Sequence, residues 1–309
     1  MTTAFPPSAI GNPQSAISKL SLFAADIKIS HTIFALPWAL LATVLAAKET
    51  HHPLTLTLIL LILACMITAR TVAMAANRLL DAHLDAINPR TARRALPSGV
   101  LTHRFYFTTL LACAFTFCLL TFAFYLLFNN PWPPVLALPV LAFLCAYPYL
   151  KRVTRLCHYY LGVALALAPV CAWLAVAARV DLAPLLMAAA VLCWTAGFDI
   201  LYATQDYDSD RATGVFSVPS KLGIPRALWV ARLTHLIAAA FLLTLGHISP
   251  TLSTFYFIGA ALAILLLTVE HSLVKPHDLS RLNLAFFTLN GIISLLVCTL
   301  GLIDIVRAP

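Results

Sequence analysis

Asn77, Asp81 and Asp85 close a long apolar run that begins near Leu54, and Asp199, Asp206 and Asp210 close a second such run. An ionised side chain at the centre of a membrane helix costs roughly 2.5–3.5 kcal/mol on insertion scales, so carboxylates at the lip of a span demand a cation or a wet cavity. On a continuing helix the first three stand at i, i+4 and i+8, drifting about 40° per step, and make one polar stripe. The second three stand at i, i+7 and i+11 and stay within about 40° of one another on an ideal helix, while Asp208 points the opposite way. Two carboxylate stripes at one membrane edge suit hard, oxygen-loving Mg2+, which keeps several waters and bridges substrate phosphates. Zinc does not fit. The eight cysteines lie in or beside apolar runs without a CxxC pair, as small packing residues do.

Basic residues crowd the same edge. Arg90, Arg93 and Arg94 follow Asp85 in a stretch broken by Pro89, Pro97 and Gly99. They are either anchors to the headgroups or forked contacts to phosphate oxygens, and the second reading gives the acids a reason to be there. Lys28 at the entry to the first span, Lys151 and Arg152 behind Tyr147-Pro-Tyr-Leu, and Lys221 in a polar loop carry the same two readings. Asp199 lies deeper than Asp206, with Tyr202 one turn away to share a hydrogen-bond network. Together these groups fit a membrane diphosphate whose isoprenoid chain lies among the helices. Metal and cationic side chains would neutralise the leaving diphosphate, the C1–O bond would break, and an electron-rich acceptor would capture the allylic cation.

The elements that must position these residues are helices. The chain has 309 residues, of which 10% are charged, and a mean hydropathy of +0.90, a composition that excludes an ordinary soluble domain. Nine apolar stretches can each cross a hydrocarbon core about 30 Å thick: 31–48, 54–80, 105–128, 132–150, 158–178, 181–204, 226–245, 251–270 and 283–304. The expectation is an all-α polytopic membrane protein, a bundle of nine transmembrane helices around a central cavity, in one membrane-embedded domain over residues 1–309. Residues 1–17, with no Arg or Lys and no apolar core, read as a loosely held tail rather than a targeting peptide. Lys and Arg concentrate in alternate connections, which places the N-terminus and both stripes in the cytoplasm and the cavity open to that side. The net charge of +8 therefore reports topology, not nucleic-acid binding.

At these residues the chain resembles the UbiA-type intramembrane prenyltransferases, whose pattern is an Asn-x-x-x-Asp-x-x-x-Asp motif and a second Asp-x-x-x-Asp motif. Asn77, Asp81 and Asp85 match the first; Asp206 and Asp210 match the second, with Asp199 and Tyr202 in the preceding Asp-x-x-Tyr-Ala segment. Lys28, Asn88-Pro-Arg-Thr, Arg94-Ala-Leu-Pro-Ser-Gly and Tyr147-Pro-Tyr-Leu-Lys-Arg are also similar to family segments, although Ala95 stands where many relatives carry an acid. Ser30-His-Thr-Ile-Phe-Ala-Leu-Pro and Phe286-Phe-Thr-Leu-Asn-Gly are similar to the 4-hydroxybenzoate polyprenyltransferase-like branch. The resemblance implies a nine-helix fold in the bacterial inner membrane. It further implies Mg2+-dependent transfer of a polyprenyl group from its diphosphate to a ring carbon of an aromatic carboxylate, in quinone biosynthesis. The acceptor would be 4-hydroxybenzoate or, as in some members of that branch, 1,4-dihydroxy-6-naphthoate for menaquinone. Asp81, Asp85, Asp199, Asp206 and Asp210 would be catalytic, and Asn77, Asp81, Asp85, Asp206 and Asp210 would hold the metal. Lys28, Asn77, Arg90, Arg94, Lys151, Arg152, Tyr202 and Lys221 would bind substrate.

A secondary transporter is the rival from another class, since its membrane acids would bind H+ or Na+ near broken helices. Its acids should sit deeper than most of these. A catalytically idle lipid-binding scaffold leaves the membrane-edge acids unexplained.

Overall fold

The computed structural model describes residues 16–308, which are almost entirely helical, with no β-strand among them. Most helices match the apolar runs to within a few residues because each run is long enough to close its own backbone hydrogen bonds, a requirement inside lipid. They are α3 (Leu56–Ile87), α4 (His103–Phe128), α5 (Trp132–Leu150), α6 (Cys157–Ala177), α7 (Leu182–Ala203), α10 (Ile224–Ile248), α11 (Thr254–Leu273) and α12 (Asn290–Arg307). Thr55 and Thr102 start α3 and α4 by accepting from the Leu58 and Phe105 N–H groups, both at 3.2 Å.

The first span is not one straight helix. It is preceded by α1 (Ala16–Asp26), so residues 16 and 17 of the expected tail are helical, while residues 1–15 lie outside the described ones. A 3-10 turn (Ile29–Phe34) then leads into α2 (Leu36–Glu49) through a bend of 44°. Pro37 sits in the first turn of α2, where its missing N–H leaves no helical bond unmade, Ala35 ahead of the helix is non-helical with φ -121°, and Lys28 is left-handed with φ 50°, so the chain turns twice there. By length and composition there are eight crossing helices among the described residues, nine if the bent pair is one span.

Between lipid-covered helices, close approach of small residues replaces the hydrophobic drive of soluble cores. α2 presents Ala39, Ala42 and Ala46, all fully buried, and packs against α6 and α12. Contacts run on from α6 to α7, α10, α11 and α12, closing a ring, while α3, α4 and α5 pack together on its flank beside α6. Gly162 lets α6 meet α7: a Cβ there would lie 2.4 Å from the Leu192 carbonyl oxygen.

One buried ion pair shapes the polar end. Arg78, which the charge pattern counts among the loop cations, is 3% exposed and forks onto Asp26 of α1, with Nε 3.0 Å from Oδ2 and Nη2 2.8 Å from the backbone oxygen. Tyr106 Oη donates to the same carboxylate at 2.7 Å, and the Ala95 N–H does so at 3.0 Å. Asp26 thus pins α1, α3, α4 and the loop after α3 together, and the backbone of Ala95 meets an acid from elsewhere in the chain.

Candidate active site

α3 continues to Ile87, so Asn77, Asp81 and Asp85 do form one stripe, and all three line a cavity of about 480 Å3. Asp81 is 1% exposed; Lys151 donates to its Oδ2, and Arg152 lies 3.6 Å from its Oδ1. Arg94 Nη1 reaches both Asp85 oxygens at 2.8 and 2.7 Å. Asn77 accepts from Arg78 at 3.2 Å.

The second stripe does not stay on an ideal helix. α7 ends at Ala203, a 3-10 turn covers Thr204–Asp206, and a short α8 (Tyr207–Thr213) follows. Asp199, Asp206 and Asp210 nevertheless all line the same cavity as the first stripe, and Asp208 is exposed outside it. The loop after α3 joins the stripes: Asn88 Nδ2 donates to Asp206 at 2.9 Å, and Arg90 forks onto it at 2.9 and 2.7 Å. The Ser217 side chain lies beside Asp210. Asp199 has a different partner from the one its spacing suggests. It lies 2.7 Å from His158 Nδ1 of α6, while Tyr202 stacks on Phe286 at 3.9 Å beneath the Arg90 guanidinium.

Pairing sets the electrostatics of the loop arginines. Burial works against the Arg90 charge, but the fork to Asp206, with Tyr202 and Asp85 nearby, outweighs it and holds its pKa above the ordinary value. Burial, then Arg78, pulls Arg94 below its ordinary value in spite of Asp85. Arg94 therefore stands where a further anion is welcome.

Of the cations lining the cavity, Lys28 and Arg70 alone have no carboxylate within ion-pair distance among the described residues. Arg70 Nη2 donates to the Lys28 carbonyl at 3.0 Å, and its Nε is buried without a partner. Lys28 Nζ lies 5.2 Å from the centre of the Phe287 ring. Arg152 and Lys221 fall outside the cavity lining, and Lys221 is exposed with its ammonium 3.7 Å over Phe216. Arg70 and His158 are absent from the residues the sequence pattern singled out. Arg70 did leave a signal, since it is a charge within an apolar run, seven residues or about two turns before Asn77 on the same face.

Below the polar mouth the cavity becomes an apolar shaft. Cys65, Met66, Phe117, Leu144, Leu165 and Phe124 line it, reaching toward the opposite ends of α3, α4 and α6. Among the described residues no three His, Cys, Asp or Glu side chains converge tightly enough to hold a metal by themselves. Asp81 Oδ1 is buried without a hydrogen-bond partner, and the side chains of Asn77, Asp81, Asp85, Asp206 and Asp210 around the same cavity offer oxygen ligands. That set fits Mg2+, which binds through a few carboxylates and takes its remaining positions from water and phosphate.

Comparison with known proteins places this geometry. Residues 35–292 match the model of the UbiA prenyltransferase family. A 4-hydroxybenzoate octaprenyltransferase of Yersinia pestis is 33% identical over 187 residues, 57% of this chain and 62% of that protein. The match thus spans less than two thirds of the Yersinia relative. One from Shewanella denitrificans is 29% identical over 293 residues, covering 93% and 96%. The apo structure of a UbiA homolog from Aeropyrum pernix K1 superposes with a TM-score of 0.75 at 28% identity, over 90% of this chain and 98% of that one. A UbiA homolog from Archaeoglobus fulgidus bound to GPP and Mg2+ superposes with a TM-score of 0.69 over 92% and 99%, a likeness of fold at 18% identity.

Proposed function

The chain belongs to the UbiA prenyltransferase family, and from that premise we propose that it transfers a polyprenyl group from a polyprenyl diphosphate to a ring carbon of an aromatic acid, 4-hydroxybenzoate first. The observation that carries this reading is the cavity of about 480 Å3, which joins both acid stripes and their cations to an apolar shaft. The curated relatives are named for that acceptor, and the Archaeoglobus fulgidus homolog is described with GPP and Mg2+.

Asp81, Asp85, Asp206 and Asp210, with Asn77, would hold Mg2+, which when bound supplies positive charge to the leaving diphosphate. Arg90, Arg94 and Lys151 exchange their carboxylate partners for phosphate oxygens as the donor enters. Arginine suits that exchange because its fork matches either anion. The prenyl chain lies in the shaft, where no water competes for the allylic cation. Arg70 and Lys28, free of carboxylates, take the acceptor's carboxylate. This orients its ring among Phe198, Tyr202 and Phe286 at the wall. On this reading the mouth faces the cytoplasm of a bacterial inner membrane.

The test is an acceptor panel in lipid vesicles, with long and short prenyl diphosphates and Mg2+, read as diphosphate release and prenylated product. Product from 4-hydroxybenzoate is expected. Turnover of 1,4-dihydroxy-6-naphthoate alone would move the protein to that acceptor. No release with either would return the ion-coupled transporter.

A further inference from the structure

His158, in the first turn of α6, lines the cavity yet is 3% exposed, and its two ring nitrogens are engaged on opposite sides. Nδ1 lies 2.7 Å from Asp199 Oδ2, and Nε2 lies 3.1 Å from the Val218 backbone nitrogen. A backbone N–H can only donate, so Nε2 is the lone-pair nitrogen, and the ring is neutral with its proton on Nδ1 aimed at Asp199. Val218 is the first residue of α9 (Val218–Leu222), where the backbone N–H has no partner within the helix. The same loop is tied down twice more: the Phe216 N–H donates to Lys151 O at 2.7 Å, and Cys157 Sγ to Phe216 O at 3.2 Å. The imidazole therefore has one tautomer and one orientation.

Asp199 sits seven residues before Asp206, about 10 Å deeper along the α7 direction. That is below the level of the acid stripes, where the breaking C1–O bond and the acceptor ring must meet. His158 occupies one Asp199 oxygen. The other, Oδ1, has no hydrogen-bond partner among the described residues, and the side chain lines the cavity.

We propose that Asp199 accepts the ring proton of the acceptor and that His158 is the positioning residue that holds it for that task. The inference rests on the prenyl-transfer reading. In that reaction the donor C1–O bond breaks with its electron pair leaving on diphosphate, and a ring π pair forms the new C–C bond. The ring C–H bond at that carbon then breaks. Its electron pair restores aromaticity, and its proton passes to Asp199 Oδ1 and on to water at the mouth. His158 keeps its own proton throughout; it fixes the carboxylate so that one oxygen faces the ring.

The experiment compares wild type, His158→Leu, His158→Gln and Asp199→Asn as full chains in phospholipid vesicles. The acceptor is 4-hydroxybenzoate carrying hydrogen or deuterium at the ring carbons ortho to the hydroxyl. For wild type the hydrogen and deuterium rates should agree, because ionisation of the donor precedes proton loss. His158→Leu should lower kcat on the order of a hundredfold, the scale of positioned acid–base catalysis. Its hydrogen-to-deuterium ratio should rise well above one, with KM for both substrates within about threefold of wild type. His158→Gln, which keeps one donor and one acceptor, should recover most of the rate and a ratio near one. If His158→Leu fails to fold, Asp199→Asn, which preserves the side-chain shape, must show the raised ratio. A ratio that stays at one in both His158→Leu and Asp199→Asn overturns the proposal while leaving prenyl transfer standing. Absence of any transfer by wild type removes that reading, and this step with it.

Discussion

Replacing Arg70 with alanine should impair the acceptor and spare the donor. Arg70 lies about two turns below Asn77 on α3, and its guanidinium donates to the Lys28 carbonyl at 3.0 Å. Truncating one partner of a buried, hydrogen-bonded charge pair costs about 2–5 kcal/mol, and the lower half applies because Lys28 remains to share the carboxylate. At about 1.4 kcal/mol per tenfold, a loss of 2–3 kcal/mol raises the KM for 4-hydroxybenzoate roughly 30- to 150-fold. The KM for the prenyl diphosphate should stay within about threefold, because that substrate is gripped higher, by Arg90, Arg94 and Lys151. Losing the hydrogen bond to Lys28, at a left-handed backbone position, should cost about 1 kcal/mol of stability, visible as a modestly lower melting temperature in detergent. The assay is initial-rate kinetics with each substrate varied in turn. An unchanged acceptor KM alongside a raised donor KM would mean that Arg70 serves the diphosphate, and the division of the cavity's cations into two subsites would be wrong.

Further outcomes follow from the same geometry. Asp206→Ala should lose on the order of a hundredfold or more in kcat, whereas Asp208→Ala, on the exposed side of α8, should stay near wild type; equal losses would undo the assignment of faces. Gly162→Ala drives a Cβ into the Leu192 carbonyl, 2.4 Å away, and should cost about 1–3 kcal/mol or more in thermal unfolding. Gly291→Ala, whose nearest neighbour is Ile33 Cδ1 at 3.6 Å, should be neutral to within about 1 kcal/mol. Chelation of divalent ions should stop turnover and Mg2+ should restore it better than Ca2+, whose larger, looser shell fits a few-carboxylate site less well. Turnover that survives chelation would remove the metal from the account.

Much of this arrangement could be read from the chain because membrane helices announce themselves. An apolar run of twenty residues has few alternatives to a span, and the i, i+4, i+8 spacing of Asn77, Asp81 and Asp85 needs only a continuing helix to place them on one face. The breaks were less visible. Nothing local to Thr204 dictates that α7 yields to a 3-10 turn there, and the π-helix at Leu284–Leu289 is secured by a tertiary group: Asn290, buried and bonded to Trp194 at 2.6 Å and Glu270 at 2.8 Å, also donates to the Ala285 carbonyl five residues back. Ion-pair partners were hidden for the same reason. Arg78 with Asp26, Arg90 with Asp206 and His158 with Asp199 join residues 52, 116 and 41 positions apart, and only the packed bundle brings them together.

The central claim is that one diphosphate is gripped from both acid stripes at once. Its most direct test is Mg2+-dependent turnover of a polyprenyl diphosphate with 4-hydroxybenzoate by Asp81→Ala, Asp206→Ala and the double variant, with helix content checked by circular dichroism. Each single variant should lose nearly all turnover with its helices intact, and the double variant should lose little more, because residues that act as one unit are not additive. Substantial turnover in either single variant, or losses that simply multiply in the double, would mean the two stripes do not share a substrate.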